Sequence, residues 1–136
     1  MLQIDKLNLA YLAGIVDGEG CIYAKYGKSK NSSINYQVKV EVELVNEPVI
    51  RLLGATFDGY VYKRSKKNRK DTYRWQAHGE VAYNAIKALY PYLIIKKPQA
   101  EVLLRLAKIH PKQKRYTPME RFLAEAEMKA LKQLNN

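Results

Sequence analysis

Two carboxylates set in glycines are the place in this chain where chemistry would first be sought. Asp17 and Glu19 alternate with Gly18 and Gly20 at the end of an apolar run. Carboxylate oxygens hold hard divalent cations and trade protons. Gly18 and Gly20 can take positive φ, and they predict an abrupt helix end there. Glu19 would then sit at the mouth of the turn, where its side chain can project out of the core. The combination occurs once in the sequence. A site that needs two such helix ends must find the second on another copy of the chain. The same residues also suit a buried helix with an ordinary glycine cap and a solvated acid.

The residues that position these acids lie just before them. Leu7, Leu9, Ala10, Tyr11, Leu12, Ala13, Ile15 and Val16 are apolar, with Asn8 the exception. The run is too short to span a bilayer and too apolar all round for a surface helix. Ala10, Gly14 and Gly18 recur every fourth residue on a face without bulk, so another helix can approach closely. Glycine inside a helix costs up to about 1 kcal/mol against alanine. Gly14 therefore implies that a close contact compensates. Ala10, Ala13, Gly14 and Asp17 are the expected dimer seam.

At 136 residues the chain reads as a single domain, 1–136, large enough to bury a sizeable core. One cysteine, Cys21, excludes an internal disulfide framework and favours a reducing, intracellular setting, cytoplasmic or organellar. No signal peptide or long apolar stretch is apparent, so no membrane association is expected. Lys and Arg number 24 against 13 Asp and Glu, a net charge of +11. That excess favours a polyanionic partner. An anionic membrane fits less well, because no basic amphipathic helix stands out.

Period-2 and helical stretches alternate downstream. Residues 21–26 alternate Ile22, Ala24 and Tyr26 against Cys21, Tyr23 and Lys25. After a polar turn, residues 36–44 set Val38, Val40, Val42 and Leu44 against Gln37, Lys39, Glu41 and Glu43. This predicts an antiparallel hairpin with one wet face. Asn46 can cap a helix beginning near Pro48, with Leu52, Leu53 and Phe57 on its apolar side. Residues 60–65 and 72–77 predict a second hairpin, with Tyr73, Trp75 and Ala77 facing the core and Thr72, Arg74 and Gln76 facing away. A helix opens at Gly79 and stops by Pro91. Another starts at Pro98 and is closed by His110 and Pro111. Thr117, Pro118 and Glu120 form a capping-box pattern opening a last helix through about Leu134.

The stretch Leu12-Ala13-Gly14-Ile15-Val16-Asp17-Gly18-Glu19-Gly20 resembles the signature of the LAGLIDADG homing endonucleases, in the single-motif, homodimeric form. The element order resembles that family's αββαββα core through about residue 97. The fold class expected is therefore α+β, with an antiparallel DNA-binding sheet in each subunit and extra C-terminal helices. The resemblance implies a site-specific DNA endonuclease that makes a metal-dependent staggered cut in a long pseudo-palindromic target. It maps Glu19 onto the metal-binding acid and Gly18 onto the residue whose carbonyl also contacts metal. Hydrolysis of a phosphodiester is served by divalent ions on carboxylates, and hard oxygen ligands favour Mg²⁺. One Glu19 holds catalytic ions poorly; two, brought together across a two-fold axis, can share them. Asp17 is expected to cap the helix end or bond locally. Lys96 resembles the family's lysine near the attacking water, with Lys97 one place away. Asn46 sits where the family often carries glutamine. The basic residue expected a few positions on is not matched: Ile50 falls nearest, with Arg51 beside it. His78 and His110 form no zinc spacing with Cys21 and read as structural.

Charge then finds its place. Residues 63–70 hold six basic residues in eight, Lys66, Lys67, Arg69 and Lys70 among them. Lys25, Lys28 and Lys30 lie at the other hairpin tip, and both tips suit phosphate contact. On the wet faces, Tyr23, Lys25, Gln37, Lys39, Glu41, Glu43, Tyr62, Arg64, Arg74 and Gln76 mix donors, acceptors and stacking groups. A phosphate clamp has no use for Glu41 and Glu43, but a major-groove reader does, because Glu accepts from cytosine N4. The partners expected are double-stranded DNA and a second copy of the chain, with intron RNA possible. Two other readings use the same scaffold: an RNA-binding intron maturase and a non-catalytic DNA-binding protein.

Overall fold

The computed structural model describes residues 5–28, 34–109 and 116–136. Lys30, His110 and Pro111 lie outside them, as does the side chain of Lys28. Helix α1 (Lys6–Glu19) is opened by Asp5, whose carboxylate accepts from the Asn8 N–H at 2.9 Å. Strands β1 (Gly20–Lys28) and β2 (Ile34–Leu44) form the first hairpin, and β3 (Tyr60–Arg64) and β4 (Thr72–His78) the second. Helix α2 (Glu47–Phe57) joins the hairpins. Helix α3 (Gly79–Leu89), a 3₁₀ turn (Tyr90–Tyr92), α4 (Lys97–Lys108) and α5 (Pro118–Leu134) complete the chain. The architecture is α+β, as expected.

The four strands make one antiparallel sheet in the order β1-β2-β4-β3. Strand pleating sends alternate residues to opposite faces. Ile22, Val38, Val40, Val42, Trp75 and Ala77 are buried beneath the helices. Leu12, Val16, Ile50, Leu53, Ile86, Leu89 and Leu103 close the core from the helical side. The Trp75 indole N–H donates to the Asp58 carbonyl at 2.7 Å, so the largest buried side chain keeps its one polar group satisfied. Among the described residues, no helix covers the opposite face of the sheet. The last helix begins with the expected capping box, Thr117 and Glu120 bonding each other's backbone N–H at 3.1 and 2.8 Å.

Glycine chemistry at the end of α1 differs from the expectation. The helix runs through Gly18 to Glu19, and Gly20 has an extended backbone with φ −89°. Positive φ is not used there. Glycine is required at position 20 because a Cβ would lie 2.8 Å from the Val16 carbonyl oxygen. The chain thus enters β1 directly against the helix it has just left.

Candidate active site and nucleic-acid interface

Glu19 is the last residue of α1 and is exposed, next to exposed Gly18. The final carbonyls of a helix have no partners within it and carry the negative end of its dipole. Of those here, Val16 accepts from the Gly20 N–H and Asp17 accepts from the Lys96 ammonium at 2.7 Å. Glu19 therefore adds a full negative charge to a terminus that already attracts cations, and the Lys96 ammonium is held one residue from Gly18. Among the described residues no three His, Cys, Asp or Glu side chains converge to hold a metal ion.

Asp17 does not cap its own helix, and it does not face outward. It is 9% exposed, and its carboxylate accepts from the Ile94 N–H at 2.8 Å and the Lys96 N–H at 2.9 Å. Ala13, one turn earlier, is fully buried in the chain's own core. Both belong to the inward stripe of α1, which removes them from the expected seam. The outward stripe is Leu7, Ala10, Tyr11, Gly14 and Gly18, all exposed.

Asn46 caps α2, its side-chain oxygen accepting from the Val49 N–H at 3.1 Å. That oxygen is engaged in holding the helix, which leaves the amide N–H₂ for any solvent role. Ile50 is fully buried, and Arg51 turns to solvent on Glu47 at 2.9 Å. Neither supplies the missing basic residue.

On the open face of the sheet the register sets the predicted residues side by side. Tyr23 pairs with Lys39, and Lys39 with His78; Cys21 pairs with Glu41, Glu41 with Gln76, and Gln76 with Tyr60. Glu43, Arg74 and Tyr62 form the next row, and Thr72 and Arg64 the last. Two hydrogen-bonded clusters result. In one, Glu41 accepts from the Tyr23 hydroxyl and the Gln76 amide, both at 3.2 Å. Burial and the Glu41 charge both push the Tyr23 phenol up. In the other, Glu43 accepts from Arg64 at 2.7 Å, from Arg74 at 2.8 and 3.0 Å, and from the Thr72 hydroxyl at 2.7 Å. The Thr72 bond, with the two arginines, overcomes partial burial and holds the Glu43 carboxyl down at about 2. Both Glu43 oxygens accept bonds within the chain, so Glu43 organises Arg64 and Arg74 on this face.

Three residues of this face were missed. His78 was read as structural, but it stacks on Tyr60 with ring centres 5.4 Å apart, out on the open face. Cys21 is exposed there too, its thiol pushed up by burial and by Glu41. Cys21 and Tyr60 already stand inside the predicted strands, and the outward alternation of Thr72, Arg74 and Gln76, extended one step past Ala77, reaches His78. At the hairpin tip Lys66, Lys67, Arg69 and Lys70 are exposed, whereas Lys63 is paired with Asp71 at 3.2 Å. A cleft of about 440 Å³ between Tyr36, Tyr83, Leu106 and Tyr116 includes Gln37 but no acid or lysine of the predicted active site.

An open sheet face bearing Lys39, Arg64 and Arg74, in a chain with an exposed acid at a helix end, suits a nucleic-acid partner. Residues 12–101 match the LAGLIDADG endonucleases, and the chain belongs to that family. It is by that membership a DNA endonuclease of the homing type, a phosphodiester hydrolase. The DNA endonuclease I-CvuI of Chlorella vulgaris is 29% identical over 118 residues, covering 81% of this chain and 70% of the relative. The crystal structure of I-CvuI with its target in the presence of Ca superposes with a TM-score of 0.77 at 24% identity, covering 94% of this chain and 82% of that one. The archaeal intron-encoded homing endonuclease I-Vdi141I, complexed with DNA, gives a TM-score of 0.77 at 12% identity, covering 96% and 85%. Another I-CvuI structure, with 2 mM Mg, holds DNA that is not cleaved.

Proposed function

We propose that two copies of this chain pair through the outward stripe of α1 and together make a staggered, Mg²⁺-dependent cut in a long pseudo-palindromic DNA site. The observation that carries this reading is the contrast among glycines. A Cβ on Gly14 or Gly18 would meet nothing within 4 Å, whereas one on Gly20 would strike backbone. The chain's own fold needs glycine at position 20 and leaves the small residues at 14 and 18 unaccounted for. Close approach by a second α1 accounts for them, and it brings two Glu19 carboxylates to one place.

The donor set fits a hard divalent ion: an exposed carboxylate from Glu19 and the Gly18 carbonyl, both oxygens at a negative helix end. Bound there, Mg²⁺ would neutralise charge on the phosphate oxygens and acidify water. The chain's own residues do the rest. Lys96 places a positive charge on the Asp17 carbonyl, two residues before the acid. The sheet face lies in the major groove with Arg64 and Arg74 held by Glu43, and the tip lysines meet phosphate.

Cleavage of a randomised duplex library in Mg²⁺, with the cut ends sequenced, tests activity, symmetry and target together. A palindromic consensus with staggered ends is expected. Glu19→Gln is expected to keep specific binding and lose cleavage; a variant that cuts at the wild-type rate removes Glu19 from the chemistry.

A further inference from the structure

The segment that carries Lys96 lies between the 3₁₀ turn and α4, with no strand or helix of its own. Leu93 is buried and anchors its start, and the Lys96 carbonyl begins α4 by accepting from the Ala100 N–H at 2.9 Å. Between these points packing gives little hold, because Ile94 and Ile95 are 82% and 68% exposed. What fixes the segment is Asp17. Its two carboxylate oxygens take the Ile94 and Lys96 N–H groups separately, at 2.8 and 2.9 Å, and the Lys96 ammonium returns to the Asp17 carbonyl at 2.7 Å. The clamp closes a ring between the end of α1 and the start of α4. Charge-assisted bonds of this kind are short and directional.

We infer that Asp17 is a positioning residue for the cleavage reaction, acting through Lys96 by fixing the backbone from which its ammonium reaches the Glu19 end of α1. The inference rests on the endonuclease reading for its kinetic consequence and not for its geometry. A displacement of about 1 Å at such a group can cost roughly a hundredfold in rate. Contacts to DNA are untouched, since Asp17 faces inward and the sheet residues are held by their own clusters.

The test is a double-mutant cycle on the full-length protein, using a duplex that the wild type recovers from a randomised library. Single-turnover cleavage and the Kd for that duplex are measured for wild type, Asp17→Asn, Lys96→Gln and the double variant. Asparagine keeps the size but turns an N–H₂ toward one of the two backbone N–H groups. Asp17→Asn is expected to slow cleavage roughly ten- to hundredfold with Kd changed by less than about twofold. The double variant should be no slower than Lys96→Gln alone, the mark of two residues acting as one unit. Additive losses, an unchanged rate, or a loss carried by Kd would overturn the inference. If Asp17→Asn does not fold, Asp17→Glu takes its place, with the same slowing expected from the longer arm and an unchanged rate counting against it. Should the wild type cut nothing in Mg²⁺ or Mn²⁺, the endonuclease reading falls and amide exchange judges the clamp. Protection of the Ile94 and Lys96 N–H groups should then drop in the variant while that of Val40 and Trp75 stays; unchanged protection at 94 and 96 overturns it.

Discussion

Glu43 looks from the sequence like a base reader, because it is an acid on the wet face of a basic sheet. The structure makes it the hub between Arg64, Arg74 and Thr72. An arginine whose fork is already held loses less freedom when it meets a base edge, and Glu43 holds two of them. Its carboxyl, held at about 2 against 4.5, gives a signed prediction. The folded pKa is below the unfolded one, so the stabilisation is present above about pH 4.5 and is lost as pH falls toward 2. The side chain is 26% exposed, and solvent screening limits the contribution to on the order of 1–2 kcal/mol. Denaturant titrations of wild type and Glu43→Gln should differ by that amount at pH 6 and converge near pH 2. A constant difference across that window would show that the Glu43 charge is not its source. The face to which Glu43 belongs was legible, since alternation alone put it opposite Val42. Its job was not, because that depends on Arg64 and Thr72, residues brought close to it only by the β2–β4 and β3–β4 registers together.

Helix α1 is where sequence and structure agree in outline and part in detail. The apolar run, the small-residue spacing and the isolated acid were all readable. Which of the two small stripes faces the core was not: Ala10 and Gly14 face out, while Ala13 and Asp17 face in. The partners of Asp17 lie 77 and 79 residues away, beyond the reach of any local pattern. The hairpins and the α5 capping box, whose signals are local, were legible almost to the residue. The glycines of α1 now give opposite predictions. Gly20→Ala forces a Cβ against the Val16 oxygen and should destabilise the fold by about 1–3 kcal/mol, read as a lower denaturation midpoint. Gly14→Leu has open space in the single chain and gains helix propensity worth up to about 1 kcal/mol, so the isolated chain should fold no less stably. The same leucine would hold a second α1 away. Light scattering should find Gly14→Leu monomeric and cleavage abolished; a dimer of wild-type affinity would place the seam elsewhere.

At the scale of the whole molecule the +11 charge is unevenly spent, and its arrangement can be counted through salt. Lys66, Lys67, Arg69 and Lys70 stand exposed at one tip of the sheet, and Lys63 beside them is paired with Asp71. Each lysine that meets a phosphate displaces counterions and contributes about 0.9 to the slope of log K against log salt. A chain that binds as a two-fold dimer presents every tip twice. Replacing Lys66 by Gln should therefore flatten the slope by about 1.8 if the dimer grips both half-sites, but by only about 0.9 if a single copy binds. Lys63→Gln should change it little, because its charge is already answered within the chain. Titrations of specific duplex between about 50 and 200 mM salt separate these outcomes. A change near 1.8 for Lys66, with none for Lys63, would report both phosphate contact and two-fold binding in one measurement. No change for Lys66 would mean that the tip does not reach the backbone, and the grip on DNA would then have to come from the sheet face alone.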